Sequence, residues 1–209
     1  MAGMSEDYIQ LPPDSVGKRV RALRRTVGGV DVYERLVALA EAVTGEPFPK
    51  WYPTYSAAIA GSAVAANKHH LVIFNGSTSI LRILKIFLFP ELTAAVTGYI
   101  MGYRLWRTTS AGAGGTAITV NKMDTTDPNL PAGVTIWTNP TTAPTLSTLI
   151  SVASVNPEET GAAGFPSILY QWMPWEKPLT LRQNQGITVQ QYATAGVGLL
   201  NVLAVFQVI

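Results

Sequence analysis

The residues that could do chemistry are few. His69 and His70 are the only histidines, and they are adjacent. On a strand, adjacent side chains point to opposite faces, so these two are poorly placed to share one metal ion; polar residues at a strand edge are the expectation. Six acids lie beyond residue 50. Asp124 and Asp127 share a loop, where hard oxygens could hold calcium or simply cap a solvated turn. Glu158 and Glu159 share another, but glycoside hydrolysis needs two carboxylates at a set separation and nothing in the spacing selects a pair. Cysteine is absent, which removes thiolate nucleophiles, disulfides and thiolate metal sites. Gly112-Ala113-Gly114-Gly115 lacks the Lys-Ser/Thr of a phosphate-binding loop and leads into a strand. No Ser/His/Asp grouping stands out. The expectation is a protein that is not an enzyme, with no catalytic residues, metal or cofactor.

The densest charge feature is the run Lys18, Arg19, Arg21, Arg24 and Arg25. On a strand Arg19, Arg21 and Arg25 share a face, which could meet phosphate. Pairing across a hairpin and with an acidic neighbouring protein is the reading adopted. The net charge of +2 is too small to imply a nucleic-acid partner. Residues 1–50 hold 7 Lys+Arg and 7 Asp+Glu, whereas residues 51–209 hold 8 and 6. So charge-poor a body has less need of a soluble surface if it hides area in subunit contacts.

The elements that must position these groups read as strands. Asn67–Arg107 gives three: His70–Phe74, Ser79–Phe89 and Gly98–Arg107, with Asn75-Gly76-Ser77-Thr78 and Pro90-Glu91 as the breaks. In the second, Ile80, Ile83, Leu84, Phe87 and Leu88 also fit one helical face. Leu81, Ile86 and Phe89 fall off that face, and the β-branched and aromatic content favours a strand. Apolar residues then occupy both parities. The strand is therefore expected to meet a core on one side and a second subunit on the other, with Leu81, Ile83, Phe87 and Phe89 as the oligomer contact.

Upstream, Met1–Val16 reads as polar and irregular. Gly17–Ala40 reads as a hairpin turning at Gly28-Gly29, in competition with a helix over Val32–Val43 that would align Leu36, Leu39, Ala40 and Val43. Thr44–Tyr55 reads as a Pro/aromatic linker. Downstream, Ala57–Ala66, Thr116–Val120, Val134–Thr138, Leu146–Val155, Ser167–Met173 with Trp172 inside it, Leu179–Tyr192 bent at Gly186, and Gly198–Ile209 complete about nine or ten short strands. That is an all-β pattern: an antiparallel β-sandwich, read as a jelly roll, with an extended N-terminal arm containing a β-hairpin. The division expected is 1–50 arm, 51–56 linker and 57–209 sandwich. Tyr192–Ile209 has no charge, but Asn201, Gln207 and the lack of a basic flank make it a buried last strand rather than a membrane span. Met1–Gln10 carries Glu6 and Asp7 and no apolar run, so no signal peptide is visible.

Two stretches resemble virion proteins of tailed bacteriophages. DYIQLPPDSVGKRVRALRRTVGGVDVYERLVALAEA resembles the short N-terminal module of accessory head, neck or fibre proteins, a P-D-S-x-G-K-R-type opening before a basic hairpin. LVIFNGSTSILRILKIFLF, with TAAVTGYIMGYRLWR and TAITVNKMDTTDPNLPAGVTI, is similar to phage structural sandwich domains built around F-N-x-[ST] and a later T-x-x-P-x-L-P-x-G-V loop. Together they cover a little under half the chain. The resemblance implies a non-enzymatic virion component (capsid decoration, head fibre or neck protein). It implies a homo-oligomer, most often a homotrimer, attached to other virion proteins, without direct nucleic-acid or membrane contact. The alternative is a host-receptor or glycan-binding adhesin module, whose loops would present Trp137, Tyr170, Trp172 or Trp175, since aromatic faces stack on sugars; Trp172, mid-strand, is expected in the core instead. A polysaccharide-degrading enzyme is a third reading.

Overall fold

Strand patterning carries through to the fold. The computed structural model describes residues 5–10, 19–27, 30–35, 52–91, 101–155, 167–192 and 198–209; among them are strands and turns but no helix. Lys18, Gly28 and Gly29, residues 36–51, residues 98–100, and the 156–164 loop with Glu158 and Glu159 lie outside the described residues. The chain divides into two compact units, Met1–Trp51 and Tyr52–Ile209.

The first unit holds β1 (Ser5–Gln10), β2 (Arg19–Val27) and β3 (Val30–Arg35), in sheet order β1-β2-β3. Both pairs are antiparallel, and Val27 opposite Val30 leaves two positions for the connection between β2 and β3. β1 corrects the expectation that the first sixteen residues are irregular. Six residues with two acids have weak strand propensity, but the ladder to β2 supplies the backbone bonds that propensity does not. β3 likewise replaces the start of the rival helix.

The second unit is a sandwich of two antiparallel sheets. Its strands are β4 (Thr54–Ala63), β5 (His69–Asn75), β6 (Leu81–Glu91), β7 (Met101–Thr108), β8 (Thr116–Ala117), β9 (Val120–Lys122), β10 (Val134–Thr138), β11 (Leu146–Val155), β12 (Ser167–Gln171), β13 (Leu179–Leu181), β14 (Gln185–Tyr192) and β15 (Leu199–Val208). One sheet runs β11-β7-β14-β5-β10-β8; the other runs β12-β6-β15-β4-β9, with β13 also paired to β6. Leu71, Ile73, Tyr103, Leu105, Ile187 and Val189 from the first meet Tyr55, Ile59, Ile86, Leu88, Val202 and Phe206 from the second, all within the buried core. Tyr55 stacks on Phe206 at 5.7 Å between ring centres.

Four expectations are adjusted. β4 starts at Thr54, inside the expected 51–56 linker, because Tyr55 is a core residue and Thr54 pairs with Gln207. β6 extends through Pro90. Pro90 is opposite Leu200 of β15, and among the described residues β12 pairs no further along β6 than Leu88, so Pro90 sits near the end of the strand, where proline is best tolerated. The Leu179–Tyr192 segment breaks at Arg182–Asn184, where Asn184 takes φ 61°, and not at Gly186. Gly186 lies inside β14, where a Cβ would come within 2.5 Å of Thr108 Oγ1.

The fourth concerns both apolar parities of β6. Val205 pairs with Lys85 but Phe206 with Ile83, so Leu84 is an extra residue, a β-bulge. A bulge exchanges inward and outward parity. Leu81 and Ile83 point inward before it, Ile86 and Leu88 after it, and all four are fully buried. Leu81 and Ile83 therefore belong to the core and are not available to a second subunit. Phe87 and Phe89 are half-buried on the outer side, their rings 6.4 Å apart.

Candidate functional site

One cleft gathers half of the body's basic residues. It is lined by Ile80, Arg82, Arg107, Ile150, Tyr170, Lys177, Pro178, Leu179, Thr180, Arg182 and Gln185, and has a volume of about 750 Å³. Arg82, Arg107, Lys177 and Arg182 are four of the eight basic residues in 51–209. No acidic side chain is among the described lining residues.

Local folding places each wall. Met101, Tyr103 and Leu105 of β7 point into the core, so Arg107 continues the inward parity just past the point where the core ends. Its Nη1 donates to Thr180 O at 3.2 Å and links the two sheets across the cleft. Arg82 is the register partner of Thr180, and its guanidinium lies 5.3 Å from the centre of the Tyr52 ring. Tyr170 closes the far side. Its oxygen accepts from Leu179 N–H at 2.8 Å, and burial raises its hydroxyl pKa above the usual tyrosine value, a shift to which the Glu176 carboxylate adds.

Asn75 lies outside the lining but braces it. It is fully buried; Nδ2 donates to Ser79 O (2.7 Å) and Leu181 O (3.0 Å), and Oδ1 accepts from Ser77 N–H (3.0 Å) and Ser77 Oγ–H (2.7 Å). It thus fixes the backbone just before Ile80 and just before Arg182. Gly76 N–H donates to Gly133 O at 2.9 Å, and a Cβ on Gly76 would sit 2.7 Å from that oxygen. The N-G-S turn and the L-P-A-G-V turn, separate in sequence, are therefore docked on one another.

The other predicted groups are placed as follows. His70 is fully buried, with Nδ1 2.8 Å from Ser62 Oγ and Nε2 3.2 Å from Gln191 Oε1. Gln191 Oε1 also accepts from Ala65 N–H at 2.9 Å, which fixes the amide orientation and puts the His70 proton on Nε2. Burial, with smaller contributions from Lys68 and His69, lowers the His70 pKa to about 4. His69 Nδ1 lies 3.0 Å from Thr188 Oγ1, whose own proton goes to Leu71 O, so His69 donates from Nδ1. Both histidines are buried within the sheet rather than at a strand edge, and their ring nitrogens make separate contacts. Asp124 Oδ1 accepts from Thr126 N–H at 2.8 Å and Oγ1–H at 2.7 Å, which holds its pKa below the usual carboxylate value. Asp127 Oδ2 accepts from Thr54 N–H at 3.1 Å. Among the described residues no group of three or more acids and histidines is placed to hold a metal ion.

Of the aromatics, Tyr170 lines the cleft and Trp137 lies on the other sheet, in β10. Trp172 lies just past β12, half-buried rather than in the core, its Nε1 donating to Glu176 O at 2.6 Å. Trp175 is 81% exposed, two residues before Lys177. Arg19, Arg21, Arg24 and Arg25 lie along β2, where Arg21 is opposite Tyr8, and Arg24 opposite Ser5 and Tyr33. Sequence reasoning missed the cleft because Arg82, Arg107, Lys177 and Arg182 are scattered singly; only strand pairing gathers them. Comparison of the chain with protein-family models, curated proteins and solved structures gives no match to any of them.

Proposed function

We propose that the chain is a non-enzymatic structural component of a tailed-bacteriophage virion, a capsid decoration, head fibre or neck protein, whose β body self-associates as a trimer and whose N-terminal unit anchors it to other virion proteins. A jelly-roll winding of the body is part of the same reading. The observation that supports it is the segregation of charge by unit. Half of the chain's charge falls in residues 1–50, and the unit that contains them builds its own three-stranded sheet. Its outer strands β1 and β3 each have one partner among the described strands, which suits strand addition to a neighbouring chain, with Lys18, Arg19, Arg21, Arg24 and Arg25 selecting an acidic one. The charge-poor body offers a different surface. Ile168, Phe87, Leu203 and Ala58 are successive register partners across four strands on its outer side, an apolar row that burial against a second copy would stabilise.

Particle assembly with a chain lacking residues 1–51 tests the anchoring. The truncated protein should fold, keep its oligomeric state by light scattering and be lost from particles. Incorporation at full occupancy, or a monomeric mass for the intact chain at micromolar concentration, contradicts the reading.

A further inference from the structure

The cleft brings four cations together with no carboxylate among its described lining residues. Cations held in one concavity repel one another, and an anion that enters relieves the repulsion. Arg107 spends one N–H on Thr180 O, and a guanidinium has five, so donors remain. Lys177 and Arg182 stand exposed at the rim. Between them lies apolar surface from Ile80, Ile150, Pro178 and Leu179. The volume falls in the range of small-ligand sites.

The arrangement discriminates among anions. A nucleic-acid backbone is followed by cations strung along a groove, one for each phosphate. Here all four line a single concavity, and the body's other basic residues are Lys68, Lys85, Arg104 and Lys122. A free inorganic anion has no use for the apolar floor. Cations beside apolar surface match a ring with one ionised group and one C–H face. Trp175, exposed two residues from Lys177, adds an aromatic face of the kind on which sugar rings stack.

We propose that this cleft binds a carboxylate-bearing sugar residue of an acidic glycan. The guanidinium groups and Lys177 hold the carboxylate through charge-assisted hydrogen bonds. Tyr170, whose oxygen already accepts from Leu179 N–H, donates its own proton to a sugar hydroxyl, and Trp175 stacks on an adjoining ring. The site is independent of the anchoring role, since it needs only the body and a soluble ligand.

The test is titration of the full chain, by calorimetry and by amide chemical shifts, with glucuronate, glucose, inorganic phosphate and a short thymidine oligonucleotide. Glucuronate should bind at least about tenfold more tightly than glucose and more tightly than phosphate, and added salt should weaken it. The double variant Lys177→Gln/Arg182→Gln should lose about tenfold of that affinity with an unchanged melting temperature, because both side chains are exposed. Trp175→Ala should weaken binding to a glucuronate-containing disaccharide more than to the monosaccharide. Equal affinity for glucose or phosphate, tighter binding of the oligonucleotide, or undiminished glucuronate binding by the double variant overturns the assignment.

Discussion

His70 shows what burial does to one side chain. Its imidazole is neutral in the fold, with a pKa near 4, against an ordinary value of 6.5. The unfolded chain therefore binds a proton there that the folded one refuses. The associated stability is fully present above pH 6.5 and is lost as pH falls through about 4, by about 3 kcal/mol in total. Urea unfolding across that window should show the decline, and His70→Phe should flatten it; an equal slope in the variant counts against the assignment. Asn75 is the second case. Asn75→Ala leaves Ser79 O, Leu181 O and Ser77 N–H without their partner, a loss of about 3 kcal/mol measurable by denaturant midpoint. Gly76→Ala should cost about 1–3 kcal/mol, because the group it would strike is the backbone oxygen of Gly133. The turn at Asn75-Gly76-Ser77 was legible from composition. The buried polar role of His69 and His70 was not, since local pattern cannot say that Ser62, Thr188 and Gln191 are waiting across the chain.

At the scale of elements, β10 and β11 have the bounds expected from alternation and turn residues. β6 was legible as a strand, yet its facing was misread. A single inserted residue at Leu84 reverses parity, and a sequence with apolar residues on both parities looks two-sided when it is one-sided and shifted. The paired substitutions Ile86→Ser and Phe87→Ser separate the two descriptions. Ile86→Ser should cost about 3 kcal/mol or more, as a hydroxyl and a void replace a packed side chain. Phe87→Ser should cost the fold about 1 kcal/mol or less. Its larger effect should be on association, read as a lower mass by light scattering. The cleft was illegible for a different reason: Arg82, Arg107 and Arg182 belong to different strands or strand ends, and their proximity is a property of sheet order.

For the whole molecule, sandwich architecture followed from counting short strands, and the absence of helix among the described residues agrees with it. A far-ultraviolet circular dichroism spectrum of residues 52–209 should have a single β-type minimum, without the double minimum of helix. Charge segregation was visible in the sequence and coincides with the two compact units. The position of each strand within its sheet was not visible, because pairing partners lie up to about 150 residues apart, as Thr54 and Gln207 do.

That distance governs when the body can form. β15 is the last of the described strands in chain order, yet it occupies the middle of its sheet, between β6 and β4. Until residues 199–208 have left the ribosome, β4 and β6 have no shared neighbour and both expose apolar faces. The sheet therefore closes only once that segment is available, slowly by the measure of its non-local pairing, and a chain still lacking it is a natural client for holding chaperones. A stop codon placed before Leu199 should yield an insoluble product.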